Sequence, residues 1–107
     1  MQTAVRAESV SDAILDYITR LTMASREHPM LEVGVSPRGA LCLCRMAKAR
    51  AYLLGRDYVI GEDVQDVWQD VCAHRVAATP KARLSGTTNA DILHDLLSSV
   101  ESPDQRL

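Results

Sequence analysis

"GVSPRGALCLCRMAKARAYLLG", residues 34–55, decides the architecture. Ser36 stands directly before Pro37. A serine oxygen can accept from an amide of the first helical turn, and proline at the first helical position gives up an N–H that has no partner there anyway. The helix that starts here runs to Gly55, a residue suited to the left-handed conformation that closes helices. Between these ends, apolar residues cover most of the circumference, interrupted by Arg38, Arg45, Lys48 and Arg50. A helix apolar nearly all round belongs in the middle of a fold, with its neighbours packed about it. Arg38 runs against the local electrostatics, because the first turn of a helix favours negative charge.

The flanks supply the neighbours. Upstream, Val10, Ile14, Tyr17, Ile18 and Leu21 recur at helical spacing, with Ser9 or Ser11 available as the cap. This first helix should fade near "SREHP", because the residue before Pro29 is pushed out of the α region. "MLEVGV", residues 30–35, reads as a short loop with extended character. Downstream, "GRDYVIGEDV" is a turn, a few extended residues and a new helix start, with Glu62 and Asp63 suited to its N-terminus. Val64, Val67, Trp68, Val71 and Arg75 fall on one face of this third helix. Residues 77–87 read as a loop. Thr88 and Asp91 form a capping-box pattern, and Ile92, Leu93, Leu96, Leu97 and Val100 mark a fourth helix that Pro103 ends. The expected fold is all-α: a small four-helix bundle with a central long helix. Residues 1–8 read as a linker or tail, 9–103 as the helical domain and 104–107 as a tail.

Composition agrees with one small globular domain. The 107 residues are 47% hydrophobic and 24% charged, with no Phe and one Trp, so Ala, Leu and Val must build the core. The formal net charge of −2 gives no bulk attraction to nucleic acid or to an acidic membrane. No apolar run approaches the roughly 20 residues that span a bilayer. "MQTAVRAESVSD" lacks the apolar centre of a signal peptide. A cytoplasmic setting is expected, with the three cysteines as reduced thiols.

The chemistry is sparse. There is no GxxxxGK[S/T] loop and no acidic pair after an apolar strand, so the chain holds no complete nucleotide-hydrolysing site. Cys42, Cys44, Cys72 and His74 have the count of a Cys₃His zinc site, but each pair is spaced i,i+2 on a helix and diverges by ~200°. They read as small apolar packing residues and an ordinary histidine, and no metal is expected. His28 and His94 have no orienting partner visible in sequence, which argues against a Cys–His or triad hydrolase. Arg45 and Lys48 read as a solvated stripe with acidic partners. Arg38 is different. It sits where backbone amides and the helix dipole already favour an anion, so it suits a phosphate supplied from outside this chain.

These residues carry a family resemblance. Tyr17–Ile18, Ser25–Arg26, Gly34 through Gly39, Gly55 through Val59, Glu62–Asp63–Val64 and His74–Arg75 stand in the order and spacing of the C-terminal lid domain of MoxR-type AAA+ ATPases. The chain resembles that family from roughly residue 10 to 85. It departs at Ile60–Gly61, where the family usually has Thr or Ser with Pro, and at Ser25, where it usually has Thr. The nucleotide-binding α/β domain has no counterpart in these 107 residues.

The resemblance implies that Arg38 is the sensor-two arginine, reaching the γ-phosphate of ATP bound with Mg on the large domain. Ser36, Pro37 and Arg38 would form the cofactor-facing edge. It also implies an AAA+ large domain and ring neighbours as partners, the ring taken as a hexamer. Chaperone-like remodelling of proteins that often carry von Willebrand factor A domains would follow. The other reading open at this stage is a stand-alone helical protein-interaction module with no nucleotide role. A DNA-reading module is disfavoured, because Glu62, Asp63, Asp66 and Asp70 on the third helix would repel phosphate.

Overall fold

A computed structural model describes residues 10–103. Helix α1 spans Asp12–Glu27, strand β1 Leu31–Val33, α2 Pro37–Leu53, α3 Gly61–Cys72, strand β2 Ala77–Ala78, α4 Pro80–Leu84 and α5 Asn89–Ser99. The four helices expected from sequence are present as α1, α2, α3 and α5. The bundle is not a plain four-helix one, however. The segment read as a loop, 77–87, supplies both β2 and the short helix α4. β2 pairs antiparallel with β1, Leu31 opposite Ala78 and Val33 opposite Ala77, with an irregular register between them.

Local chemistry sets the ends of the elements. Ser11 caps α1 by accepting from the Ile14 amide, and Ser36 caps α2 by accepting from the Gly39 amide. Thr79 with Pro80 repeats the Ser36–Pro37 device and starts α4. Thr88 and Asp91 form the reciprocal box at α5, and hydrogen bonds from Thr88 hold the Asp91 carboxyl below its ordinary value. α1 ends at Glu27, with His28 already extended before Pro29. Met30 N–H donates to His28 Nδ1, which leaves Nε2–H to donate to Asp95 and tie the end of α1 to α5.

The core lies where α1, α3 and α5 converge, around Tyr17, Leu21, Val64, Trp68, Leu93 and Leu96. Trp68 is fully buried, and its indole N–H donates to the Leu93 carbonyl. α3 packs against α2, α5 and α1, so it holds the middle position expected of α2. α2 buries only Gly39, Leu43, Ala47 and Ala51, a stripe at intervals of four. These mostly small residues let α3 approach closely. Ala40, Cys42 and Cys44 pack partly buried beside this stripe, while the larger apolar side chains face outward, with Leu41 and Tyr52 half exposed and Leu53 82% exposed. Arg75 does not continue the buried stripe of α3: it lies beyond the helix end and is exposed.

A charged knot fixes the far end of α2. α2 closes through Gly55 at φ 85°, where the Arg56 amide returns to the Ala51 carbonyl. The chain then carries Arg56 to Asp63, which is wholly buried at the start of α3. Asp63 accepts two hydrogen bonds from Arg56 at 2.7 Å, one from Arg50 and one from the Ile60 amide at 2.8 Å. Burial pushes the Asp63 carboxyl up, but Arg56, the Ile60 amide and Arg50 outweigh it and hold it below its ordinary value. Asp63 thus replaces the side-chain cap that Ile60 lacks. Arg50 also pairs with Asp66, so one α2 cation grips two α3 carboxylates. The acidic partners expected for Arg45 and Lys48 are not found among the described residues; Arg50 takes them instead.

Among the described residues no helix is long and apolar enough to cross a membrane, and no three His, Cys, Asp or Glu side chains gather as a metal site. Cys72 is buried, and burial pushes its thiol up to about 12. Cys42 and Cys44 are partly buried.

Candidate functional site

The first turn of α2 lies against the last turn of α1, and side-chain bonds to backbone make the joint. Ser25 is wholly buried in α1. Its hydroxyl donates to the Thr22 carbonyl at 2.6 Å and accepts the Val35 amide at 2.9 Å. The next residue, Arg26, donates through Nε to the Val35 carbonyl at 3.2 Å. Both main-chain groups of Val35, itself wholly buried, are thus satisfied by two consecutive side chains of α1. Gly34 makes this approach possible. A Cβ there would lie 2.8 Å from the Arg26 Cα and N and from the Ser25 carbonyl carbon, which are backbone atoms that cannot step aside.

Ser36 follows in extended conformation, φ −77° and ψ 166°, and its oxygen takes the Gly39 amide at 3.2 Å. Pro37 has no N–H. The Ala40 amide already donates to the Ser36 carbonyl. Of the amides in this first turn only that of Arg38 lacks a partner among the described residues. The helix end is therefore a weaker anion seat than its position suggests, and the Ser36 oxygen is committed to the cap.

Arg38 itself is exposed, and no carboxylate pairs with its guanidinium among the described residues. No acidic residue stands in the first turn to offset it. A cation placed there costs about 0.3–1 kcal/mol against the dipole. What the turn offers is one free amide and a permanently charged, planar fork of N–H donors directed to solvent, the geometry that matches phosphate oxygens.

Arg75 supports the turn from the other side. Its Nε donates to the Val71 carbonyl, and its aliphatic stem passes Gly39 so closely that a Cβ there would sit 3.2 Å from Cδ. Gly39 serves close packing rather than a turn. A shallow groove runs between α1 and α2, walled by Met23, Pro37 and Ala40, with Arg26 at its edge. Sequence reasoning picked out Ser36, Pro37 and Arg38; it gave Arg26 and Arg75 no nucleotide role and read both as packing or lid–neighbour contacts. The bonds join Arg26 and Ser25 to Val35, nine and ten residues further on, a separation that carries no local sequence signature.

Comparison with known proteins places this small helical domain, with its two-strand ribbon, among AAA lids. A sequence profile described as "AAA lid domain" matches residues 23–96. The chain belongs to this family, as the C-terminal lid domain of a MoxR-type ATPase. It is 36% identical to the protein YeaC of Bacillus subtilis (strain 168) over 106 residues, covering 99% of this chain and 33% of YeaC. It is 32% identical to Chaperone MoxR1 of Mycobacterium tuberculosis over 103 residues, covering 88% of this chain and 27% of that protein. A crystal structure from Cytophaga hutchinsonii, of a protein named as a "putative ATPase", superposes with a TM-score of 0.86 at 29% identity, covering 94% of this chain and 33% of that one. The chain spans between about a quarter and a third of the length of these relatives.

Proposed function

We propose that this lid supplies Arg38 as a sensor arginine to the terminal phosphate of ATP held on a large AAA+ domain. The single observation that carries the reading is the free guanidinium: Arg38 is exposed, unpaired among the described residues, and set at a helix start where it costs stability. A cation kept there against the local field needs an external anion to account for it. In the assembled ATPase Arg38 would hold a γ-phosphate oxygen, and the free Arg38 amide would face the same side. Bound ATP supplies the transferable phosphoryl group. Magnesium would be held with the phosphates by the large domain, since no carboxylate cluster fit for it exists among the described residues. Arg38 would steady charge that builds on the phosphoryl oxygens and tie lid position to nucleotide state.

The remainder of the reading concerns the assembly. The partners are the large domain and ring neighbours, taken as a hexamer, in the cytoplasm. The exposed apolar side chains of α2, Leu41, Tyr52 and Leu53, give such neighbours an apolar surface to meet. The work done is chaperone-like remodelling of client proteins, including those with von Willebrand factor A domains. The relative named Chaperone MoxR1 supports that class of activity.

The test is Arg38→Ala in the complete ATPase carrying this lid. Hydrolysis is expected to fall by about 10- to 100-fold in kcat, with the lid's circular dichroism unchanged. Unchanged turnover with a folded lid removes Arg38 from the site. The isolated chain, having only this edge of the site, is expected to show no micromolar ATP binding by calorimetry.

A further inference from the structure

We infer that Ser25 and Arg26 are positioning residues for Arg38, acting through the main chain of Val35. This rests on the phosphate reading of Arg38 and specifies what aims it. Arg38 has no side-chain partner of its own among the described residues, so its direction is set by the backbone of the first turn of α2. That turn is entered through residues 34 to 36, which lie outside any helix or strand and would swivel freely if unheld. Instead each is held. Gly34 lies in direct contact with the backbone of Ser25 and Arg26, Val35 is bonded on its N–H by Ser25 and on its C=O by Arg26, and Ser36 is locked as the cap.

The two bonds to Val35 imitate those a strand residue makes to its neighbour, with side chains of a helix standing in for the second strand. Rotation about Val35 would break one or both, and at the buried amide no water is at hand to replace the Ser25 bond. α1 and the first turn of α2 therefore move as one body. A tilt of α1 swings Arg38 without any change in the helix that carries it. The pair Ser25–Arg26 and the stretch from Gly34 to Arg38 are thus two halves of a single joint. An ordinary packing role accounts for the burial of Ser25, but not for a half-exposed arginine that gives its Nε to the one carbonyl leading into the cap.

The test is a double-mutant cycle in the complete ATPase. Arg26→Met keeps the stem and removes the donor; Ser25→Ala removes the hydroxyl. Each is expected to lower kcat by about tenfold, with KM for ATP within about twofold, because a misaimed group loses contact in the transition state more than in the bound state. In an Arg38→Ala background neither should lower kcat further, since the residue they aim is gone. Two results overturn the inference alone: Arg26→Met at wild-type kcat while Arg38→Ala is impaired, or the same fold-loss with and without Arg38. Arg38→Ala at wild-type kcat overturns the phosphate reading and the joint's purpose with it. If Ser25→Ala does not fold, Arg26→Met, altered at an exposed side chain, decides the matter.

Discussion

Asp63→Ala is the substitution with the most to say about how this lid holds its shape. It removes four hydrogen bonds at once: two from Arg56, one from Arg50 and one from the Ile60 amide. Breaking a buried pair by deleting one partner costs about 3–5 kcal/mol when the other charge stays buried. Here the stranded cations keep some water, with Arg50 24% and Arg56 21% exposed, and Arg50 keeps Asp66. The lower end of the range applies, about 3 kcal/mol, or a fall in Tm of about 10–20 °C for a domain of this size.

The pH dependence gives a second handle. The Asp63 carboxyl titrates below its ordinary value in the folded protein. Its stabilisation is full above the unfolded value of about 4 and drains away as pH falls through the folded one. Thermal unfolding of wild type and Asp63→Asn, followed by circular dichroism, should show a wide gap at pH 7 that narrows below about pH 4. A loss under about 1 kcal/mol for Asp63→Ala, or a gap that stays constant down to pH 2.5, refutes the reasoning.

Three further outcomes are expected. Arg38→Ala should leave the chain as stable as wild type or raise its Tm by a degree or more, since it removes a cation from the positive end of a helix; a marked fall in Tm would show that Arg38 has a structural partner. Gly34→Ala should cost about 1–3 kcal/mol, because the added methyl meets backbone atoms of α1 at 2.8 Å; denaturant unfolding at wild-type midpoint would contradict that contact. At pH 8 a thiol reagent should label Cys42 and Cys44 readily and Cys72 only after denaturation, given its buried thiol pushed up to about 12; rapid labelling of all three would contradict it.

The starts and stops of the long helices were legible because they are local chemistry. Ser36 with Pro37, Thr88 with Asp91, and Gly55 each act within a few residues of themselves. The same serine-or-threonine plus proline device begins α4 at Thr79, yet one turn of helix shows no apolar period, and the segment reads as loop. Of the two-strand ribbon only β1 leaves a trace, as the extended character of residues 30–35; β2 leaves none, since two alanines carry little strand signal. The position of α2 was misjudged for a different reason. Its buried stripe is Gly39, Leu43, Ala47 and Ala51, mostly small, while the larger Leu41, Tyr52 and Leu53 stay outside. Apolar composition records what a surface could bury, not which side has a partner. At the candidate site Arg38 was legible as an oddity against the dipole. The bonds from Ser25 and Arg26 to Val35 were not, because a side chain that binds backbone imposes no residue type on its partner.

The link from Leu54 to Ile60 has a length set by electrostatics. Gly55 turns the chain, Arg56 must land on a carboxylate seven residues on, and Ile60 must offer its amide to that same carboxylate. One residue more or fewer would strand a charge in the interior. Natural variation in chain length should therefore collect at the Ser85–Thr87 bend, where Gly86 takes a positive φ with open space around it, and spare the link between α2 and α3.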